Sequence, residues 1–305
     1  MEPVLSICIP IYNRSRFLVR MLERFLEDRD LFEEKVCLYV SDNCSTEDLE
    51  SIVNGFIGRG LRVQYHRNRE NLGPDLNICA CFRAGTGRYT WVLGSDDIPV
   101  SGFLRGLLPV LEEGDYGLIH LGAAGNGMSI QRVPEDFFVD MNVWITFISA
   151  NIVATRFIAE ARLEEYATTS LSQVPLYLEA GFSSRANLTV CGTYLEEQND
   201  AFLNGGYNLF GVFADNLLAM VRTKVPAPFP ESAFRHFKRR LFRDFLAENV
   251  LNLLILKRNS NFDTQSGWEI IRRHFGKEWY FLPDLAAVVA RIGFRKLSGT
   301  HNKKA

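Results

Sequence analysis

The 305 residues carry a formal net charge of −2, with 47% hydrophobic and 23% charged side chains. That length buries a full core, as one large domain or as one domain with an extension, and these ordinary proportions exclude disordered and fibrous classes. A balance so close to neutral also argues against a general nucleic-acid binder.

The N-terminal half alternates strand and helix signals. Residues 4–11 (V-L-S-I-C-I-P-I) read as a first strand, followed by a helix from Ser15 with Phe17, Leu18, Met21, Leu22, Phe25 and Leu26 at helical spacing. Residues 36–40 read as a second strand, and Thr46 is expected to cap a helix running to Ile57. Glu47 and Asp48 fall in that helix's first turn, where its dipole favours acids. A third strand over 61–66 leads through R-N-R-E-N-L-G-P to a helix over 75–84. The uncharged run 89–93 is a strand covered on both faces, ending in Gly94, Ser95, Asp96 and Asp97. Further on, a helix is expected over 102–111 and a strand over 116–121, then a flexible small-residue run over 122–127. Residues 144–152 lead to a helix carrying Phe157, Ile158 and Leu163, and 171–180 and 188–194 read as a short helix and a strand. Such alternation implies βαβ units and a mostly parallel α/β sheet.

Beyond Ala201 the composition changes. A Gly-rich loop over 204–207 and the connector V-P-A-P-F-P after Lys224 precede a long helix expected over 234–256, with two short helices over 265–275 and 285–292. In the long helix Arg235, Lys238, Arg239, Arg240 and Arg243 alternate with Phe234, Phe237, Leu241, Phe242 and Phe245. Such a basic amphipathic helix lies in an anionic membrane surface, or packs on the first domain with its charges solvated. No apolar run reaches the roughly 20 residues that cross a bilayer, and no secretory leader follows Met1, so a soluble or surface-lying protein is expected. Six cysteines without a C-x-x-C pair suit neither zinc nor a disulfide framework and fit thiols of a reducing cytosol.

Polar residues stand at the carboxyl end of each early strand: Tyr12 and Asn13, Asp42 and Asn43, Asn68 and Asn71, Asp96 and Asp97. Ligands of open α/β sheets collect there. Two adjacent carboxylates repel, and a hard divalent cation carrying a diphosphate relieves them. The plainer reading is an Asp-Asp turn capping a helix that starts near Pro99. Arg67 and Arg69 either reach the diphosphate or belong to a solvated loop. His66 and His120 read as isolated histidines rather than ligands, and Trp144 as either a sugar-stacking face or a core residue.

The segments S-I-C-I-P-I-Y-N-R, S-D-N-C-S-T-E-D and N-L-G-P-D-L-N-I…A-G-T-G-R-Y-T-W-V-L-G-S-D-D, in this order over 5–121, resemble the family 2 glycosyltransferases, in particular their abequosyltransferase-like group. The resemblance implies a GT-A fold, Rossmann-like with flanking helices, over 1–200, with a nucleotide-sugar half (1–121) and an acceptor half (122–200). Residues 201–305 would form a basic helical C-terminal region. It implies an inverting, metal-dependent hexosyl- or deoxyhexosyltransferase using Mn²⁺ or Mg²⁺ and a nucleotide-diphosphate sugar. The acceptor would be a glycan, free or lipid-linked, in bacterial surface polysaccharide synthesis. On that basis Pro10, Tyr12, Asn13, Asp42, Asn71, Ser95 and Asp96 would contact the donor, and Asp97 with Asp96 the metal. The expected location is the cytoplasm or the inner face of the cell membrane, reached through the basic C-terminal helices, with no nucleic-acid partner. Two positions depart from the family. Gly94 stands where many relatives have another Asp, and Gln173, which cannot take a proton, stands where the catalytic base is expected. Asp136, Asp140 and Glu179 are the replacements to weigh. The alternative function is a nucleotide-sugar or glycan-binding module on the same fold without turnover.

Overall fold

The computed structural model describes residues 3–196, 206–224 and 229–297. The chain divides into two compact units, 1–137 with 144–198, and 138–143 with 199–305.

The first unit is an α/β layer around an eight-stranded sheet. Its strands are β1 (Leu5–Ile11), β2 (Val36–Asp42), β3 (Val63–Arg67), β4 (Tyr89–Val92), β5 (Leu118–Ala123), β6 (Gly127–Gln131), β7 (Asn151–Ala154) and β8 (Asn187–Cys191), in the spatial order β3-β2-β1-β4-β7-β5-β8-β6. β1 is central, pairing in parallel with β2 on one side and β4 on the other, with Leu5 opposite both Val36 and Tyr89. Covered on both faces, it is apolar without alternation, and Leu5, Ile7 and Ile9 are fully buried. Each such side chain contributes roughly 1.5–3 kcal/mol by leaving water.

Helices seal the faces. α1 (Ser15–Glu27) buries Phe17, Leu18, Met21, Leu22 and Phe25 along one stripe. After the single turn α2 (Leu31–Glu34), α3 (Leu49–Gly58) buries Leu49, Val53 and Phe56. α4 (Pro74–Ala84) and α5 (Phe103–Glu113) follow β3 and β4, α6 (Pro134–Met141) follows β6, and α7 (Val174–Ser183) precedes β8.

The chain steps outward from β1 through β2 to β3, then returns to the other side of β1 as β4. That reversal opens a crevice at the carboxyl ends of β1 and β4, where open α/β sheets bind ligands. β7 runs antiparallel between β4 and β5, so the turn entering it, Ile148–Ala150, reaches the same edge.

Several expectations are corrected. The cap of α3 is Asp48, whose side chain accepts Ser51 N–H at 3.1 Å, not Thr46, whose N–H and hydroxyl go to Asn13 Oδ1. Glu47 caps a different helix: its Oε2 accepts the N–H of Ser15, first residue of α1, at 2.7 Å. No helix carries Phe157, Ile158 and Leu163. Residues 151–154 are β7, and Thr155–Phe157 and Leu163–Tyr166 are single 3₁₀ turns. Arg83 explains why: its guanidinium takes the carbonyls of Ile158 and Ala161, acceptors a helix would need for itself. The run over 122–127 holds the end of β5, the link to β6 and the first residue of β6, and β6, paired antiparallel with β8, had no strand signal. The Asp-Asp pair caps no helix at Pro99, because α5 starts only at Phe103 with Gly102 before it.

The second unit is helical. Residues 231–255 form the expected long helix, widened to π turns at Phe242–Leu246 and Val250–Ile255. Shorter helices span Leu217–Thr223, Gly267–Phe275 and Phe281–Leu297. Within this unit Phe234, Phe237, Leu241 and Phe242 are buried, and the Phe242 ring lies 4.9 Å from that of Phe275. Lys238 pairs with Glu278 at 2.5 Å, Arg240 with Asp140 at 2.7 Å and Arg243 with Asp244 at 2.7 Å. Intramolecular packing therefore consumes the apolar stripe and most of the basic face of the long helix. Residues 204–205 of the Gly-rich loop, 225–228 of the connector, and Lys303 and Lys304 lie outside the described residues. Among the described residues, no helix is long and apolar enough to cross a membrane.

Candidate functional site

A cleft of about 430 Å³ occupies the crevice between the ends of β1 and β4. Pro10, Ile11, Tyr12 and Arg14 form one wall, Gly94, Ser95 and Asp96 the opposite one, and Asn43, Asn71, Pro74 and Asn77 close the side toward β2 and β3. A larger hollow of about 740 Å³ lies among Pro3, Phe32, Val36 and Val63, near the starts of β2 and β3. It sits at the amino ends of the strands, away from the edge where open α/β sheets bind ligands, so the smaller cleft is the functional candidate.

The cleft's far side is built from asparagines. Asn43 Nδ2 donates to Asn71 Oδ1 at 2.8 Å and Gly73 O at 3.1 Å, and Asn43 Oδ1 accepts Leu72 N–H at 2.9 Å. Asn68 Nδ2 bridges Asn43 Oδ1 and Asn77 Oδ1, and Asn77 in turn binds Ser41 through both its hydroxyl and its carbonyl. Asn13, at φ 50, holds the loop after β2 through Thr46, while its own N–H donates to Ser45 Oγ at 2.9 Å. Each buried amide is satisfied by another loop, which fixes these loops to one another.

Asp42 is turned inward. It is fully buried, with Oδ1 accepting Ser45 N–H at 2.9 Å and Oδ2 accepting the Tyr65 hydroxyl at 2.7 Å. Asp42 does not line the cleft, so a bond from it to a base or ribose would require its surroundings to open. Arg67 donates to Ser45 O at 2.8 Å, bracing the same loop. Tyr12 projects from the cleft rim, 43% exposed.

The two carboxylates of interest differ. Asp96 faces the cleft and pairs with Arg14 at 3.0 Å. Asp97 folds back beneath it. Its Oδ2 accepts the Ser149 hydroxyl at 2.6 Å, and Ser149 Oγ accepts Gly94 N–H at 2.8 Å. Ser149 is anchored in turn, its carbonyl accepting Trp91 Nε1–H at 2.9 Å. Burial, with the neighbouring charge of Asp96, pushes the Asp97 carboxyl up to about 6. This packing accounts for Gly94: a Cβ there would stand 2.6 Å from Asp97 Oδ2 and 3.2 Å from Ser149 Oγ. The carboxylate occupies the room a side chain would need.

Asp96 and Asp97 are the carboxylates at this edge that could offer oxygen ligands to a metal ion. Among the described residues no group of three or more His, Cys, Asp or Glu side chains is arranged for one, so further ligands would have to come from a bound diphosphate and water. The donor set fits a hard cation in kind: two carboxylates, one of them desolvated, offer oxygen ligands.

Gln173 itself supplies no base. Gln173 is buried just before α7, donating to Thr146 O at 2.8 Å. Asp136 is exposed in the first turn of α6, Asp140 is paired with Arg240, and Glu179 is exposed and accepts the Ser183 hydroxyl. None of the three lines the cleft. His120 is a core residue beside Asn151 Oδ1, held neutral by burial at about 4. Sequence reasoning did not single out Arg14, Tyr65, Asn77 or Ser149. Arg14 directly follows the Tyr-Asn pair and was within reach of a motif argument, whereas Ser149 arrives from a segment with no local pattern.

The profile of the family described as Glycosyl transferase family 2 matches residues 6–149. The abequosyltransferase RfbV of Salmonella typhimurium is 35% identical over 95 residues, 31% of this chain and 28% of that protein. The curated relatives it matches are spanned over 17% to 35% of their lengths. Among solved structures, S. aureus TarS 1-349 superposes with a TM-score of 0.64 at 12% identity, covering 99% of this chain and 93% of TarS 1-349. The mannosyltransferase PcManGT of Pyrobaculum calidifontis, in complex with GDP-Man and Mn²⁺, has a TM-score of 0.54 at 13% identity, covering 97% and 81%. At these identities the two structures establish the fold, GT-A with helices at the C-terminus, and no more. Residues 6–149 are thus similar to the glycosyl transferase family 2 profile, and 95 residues of the chain are similar to an abequosyltransferase.

Proposed function

We propose that this chain is an inverting glycosyltransferase that moves a hexosyl or deoxyhexosyl group from a nucleotide-diphosphate sugar to a hydroxyl of a glycan in bacterial surface polysaccharide synthesis. The observation that carries the reading is the cleft at the β1–β4 reversal, walled by the family motifs and bordered by Asp96 and Asp97. Pro10 and Tyr12 would flank the nucleotide, and Asn71 and Ser95 would offer polar contacts to it. Arg14, three residues beyond β1, would face the diphosphate from the wall opposite Asp96. Asp97, with Asp96, would hold a divalent cation, Mn²⁺ or Mg²⁺, which when bound neutralises charge on the departing diphosphate. The acceptor oxygen attacks the anomeric carbon opposite the diphosphate, the bond from that carbon to the diphosphate oxygen breaks, and the acceptor's proton passes to a base. A lipid-linked acceptor at the inner face of the membrane belongs to the same reading. Its support is the excess of basic residues near the C-terminus, Arg272, Arg273, Lys277 and Arg291 among them.

One observation favours a second reading, a nucleotide-sugar or glycan-binding module without turnover. Among the described residues Asp96 is the one carboxylate lining the cleft, and Gln173 is locked to a backbone carbonyl. Thermal denaturation against UDP-, GDP-, CDP- and dTDP-sugars, with Mn²⁺ or with EDTA, tests both. A metal-dependent rise in Tm with one nucleotide family is expected, since stabilisation grows with the logarithm of ligand over Kd. Release of free sugar or transfer product from that donor then selects the enzyme over the module. Equal Tm values under every condition would remove the site altogether.

A further inference from the structure

Around the corner of the same sheet edge lies a second hollow of about 360 Å³, lined by Leu121, Gly122, Gly125, Trp144, Phe147 and Tyr194 among others. We propose that this trough seats one pyranose ring of a neutral carbohydrate, stacked on the indole of Trp144; as the position of the acceptor glycan, it rests on the transferase reading above.

The case starts with Trp144 itself. It is 55% exposed although its first unit buries Trp91 completely. An indole left in water on a concave surface marks a recognition surface rather than a packing residue. Its position is fixed: Asn151, fully buried in β7, donates to the carbonyls of Trp144 and Phe147 at 2.9 Å each. The Phe147 ring lies 6.2 Å away, tilted by 60°, and limits how the indole turns. The rest of the lining is small residues. Gly122, Ala123, Ala124, Gly125, Gly192 and Thr193 bring the main chain to the trough, and Gly192 N–H and Ala123 O already bond each other at 3.0 Å, which leaves the remaining peptide groups to meet hydroxyls. Among the described residues no Lys, Arg, Asp or Glu side chain lines the trough, so none of them would compensate a phosphate, a carboxylate or an ammonium group there. An apolar ring face on one side and hydroxyls on the other describe a neutral pyranose.

The trough also adjoins the metal-side loop. Tyr194 lies close enough for the charge of Asp97 to push its hydroxyl pKa further up, beyond what burial alone does. Leu195 bridges to Pro99, two residues after Asp97, and Val100 N–H donates to Tyr194 O at 3.0 Å. A sugar on Trp144 therefore sits beside the loop of Asp96 and Asp97 without overlapping the residues that line the first cleft.

The test uses the full chain labelled with 5-fluorotryptophan, which has four tryptophans and should give four ¹⁹F resonances. Trp144→Phe assigns one of them. Titration with methyl pyranosides of glucose, galactose, mannose and rhamnose should shift the Trp144 resonance saturably and leave the other three in place. The shift should persist in Asp97→Asn, with EDTA present and no nucleotide. A Trp144 signal that no pyranoside moves overturns the proposal, as does one that moves only with a detergent chain such as decyl maltoside's, or with all four signals together. Because neither donor nor metal is present, failure of the donor reading would leave this response intact. Failure here would leave donor binding untouched.

Discussion

The loops after β1, β2 and β3 hold one another through side chains, whereas the turns after β5 and β8 are shaped by backbone. In the first group Asn43, Asn68, Asn71 and Asn77 form a continuous chain of amide contacts, Asn13 holds Ser45 and Thr46, and Asp42 is sealed between Ser45 and Tyr65. In the second, Gly122, Gly125 and Gly192 all have positive φ, and Trp144 stands exposed above them. A preformed polar scaffold suits a ligand of fixed chemistry, such as a nucleotide diphosphate. A backbone trough with one aromatic face suits ligands that share a ring shape and differ in their hydroxyls.

The largest effect expected from this contrast is in the amide scaffold. Asn77→Ala would strand the Ser41 hydroxyl and carbonyl and remove one of the two acceptors of Asn68 Nδ2. Orphaned buried polar groups and the cavity together should cost about 3 kcal/mol, read as a drop in urea midpoint. Loss of donor-induced stabilisation should accompany it. A variant of unchanged midpoint would mean that the amides are solvated and that the scaffold is not what fixes the cleft.

Asp97 comes next, and its effect has a sign. In the unfolded chain its carboxyl ionises near 3.8, whereas burial holds the folded one up to about 6. Between those values the folded protein keeps the extra proton, so stability falls as pH rises from about 4 to about 6 and stays lower above. Asp97→Asn removes that slope. In metal-free buffer the variant should be more stable than its parent by about 2–3 kcal/mol near pH 7 and equal to it near pH 4. It should also lose the metal-dependent rise in Tm with donor. Parallel stability curves for the two proteins would show that Asp97 is not desolvated.

How much of this was legible in the sequence follows the same division. The half that carries β1 to β4 is assembled from consecutive βα units, so local periodicity and motif order reached those strands and the polar residues at their ends. They did not reach Asp42's inward turn, because that depends on Tyr65, 23 residues away. The half that carries β5 to β8 is ordered by long-range pairing. β7 slots antiparallel between β4 and β5, and β6 joins the sheet only through β8, 56 to 64 residues later in the register. No window of local sequence holds that information, and so 155–163 read as a helix and 122–127 as a flexible run. Ser149, which supports Asp97, was invisible for the same reason.

Gly94→Ala tests the boundary between the two regions with a single carbon. The new Cβ would lie 2.6 Å from Asp97 Oδ2, so the carboxylate must move while the main chain, whose φ is ordinary there, need not. The expected result is a nearly unchanged Tm without ligand and about a tenfold weaker apparent Kd for donor with Mn²⁺, equivalent to about 1.4 kcal/mol. Donor affinity equal to the parent's would show that the bound position of Asp97 is not the one it occupies here.

The smallest effect belongs to the trough. Gly192 follows β8 at φ +103, with no atom within 4 Å of where a Cβ would stand. Space is therefore not the obstacle; backbone conformation is. An L-residue in that region should cost about 1–2 kcal/mol, a few degrees of Tm, while donor-induced stabilisation stays at the parent's value. Its use is as a contrast with Asn77→Ala. Both variants loosen one end of the same sheet edge, but only the amide variant should take the donor response with it. If Gly192→Ala abolished donor binding as well, the two ends would be one cooperative structure, and the division between a side-chain scaffold and a backbone trough would fall.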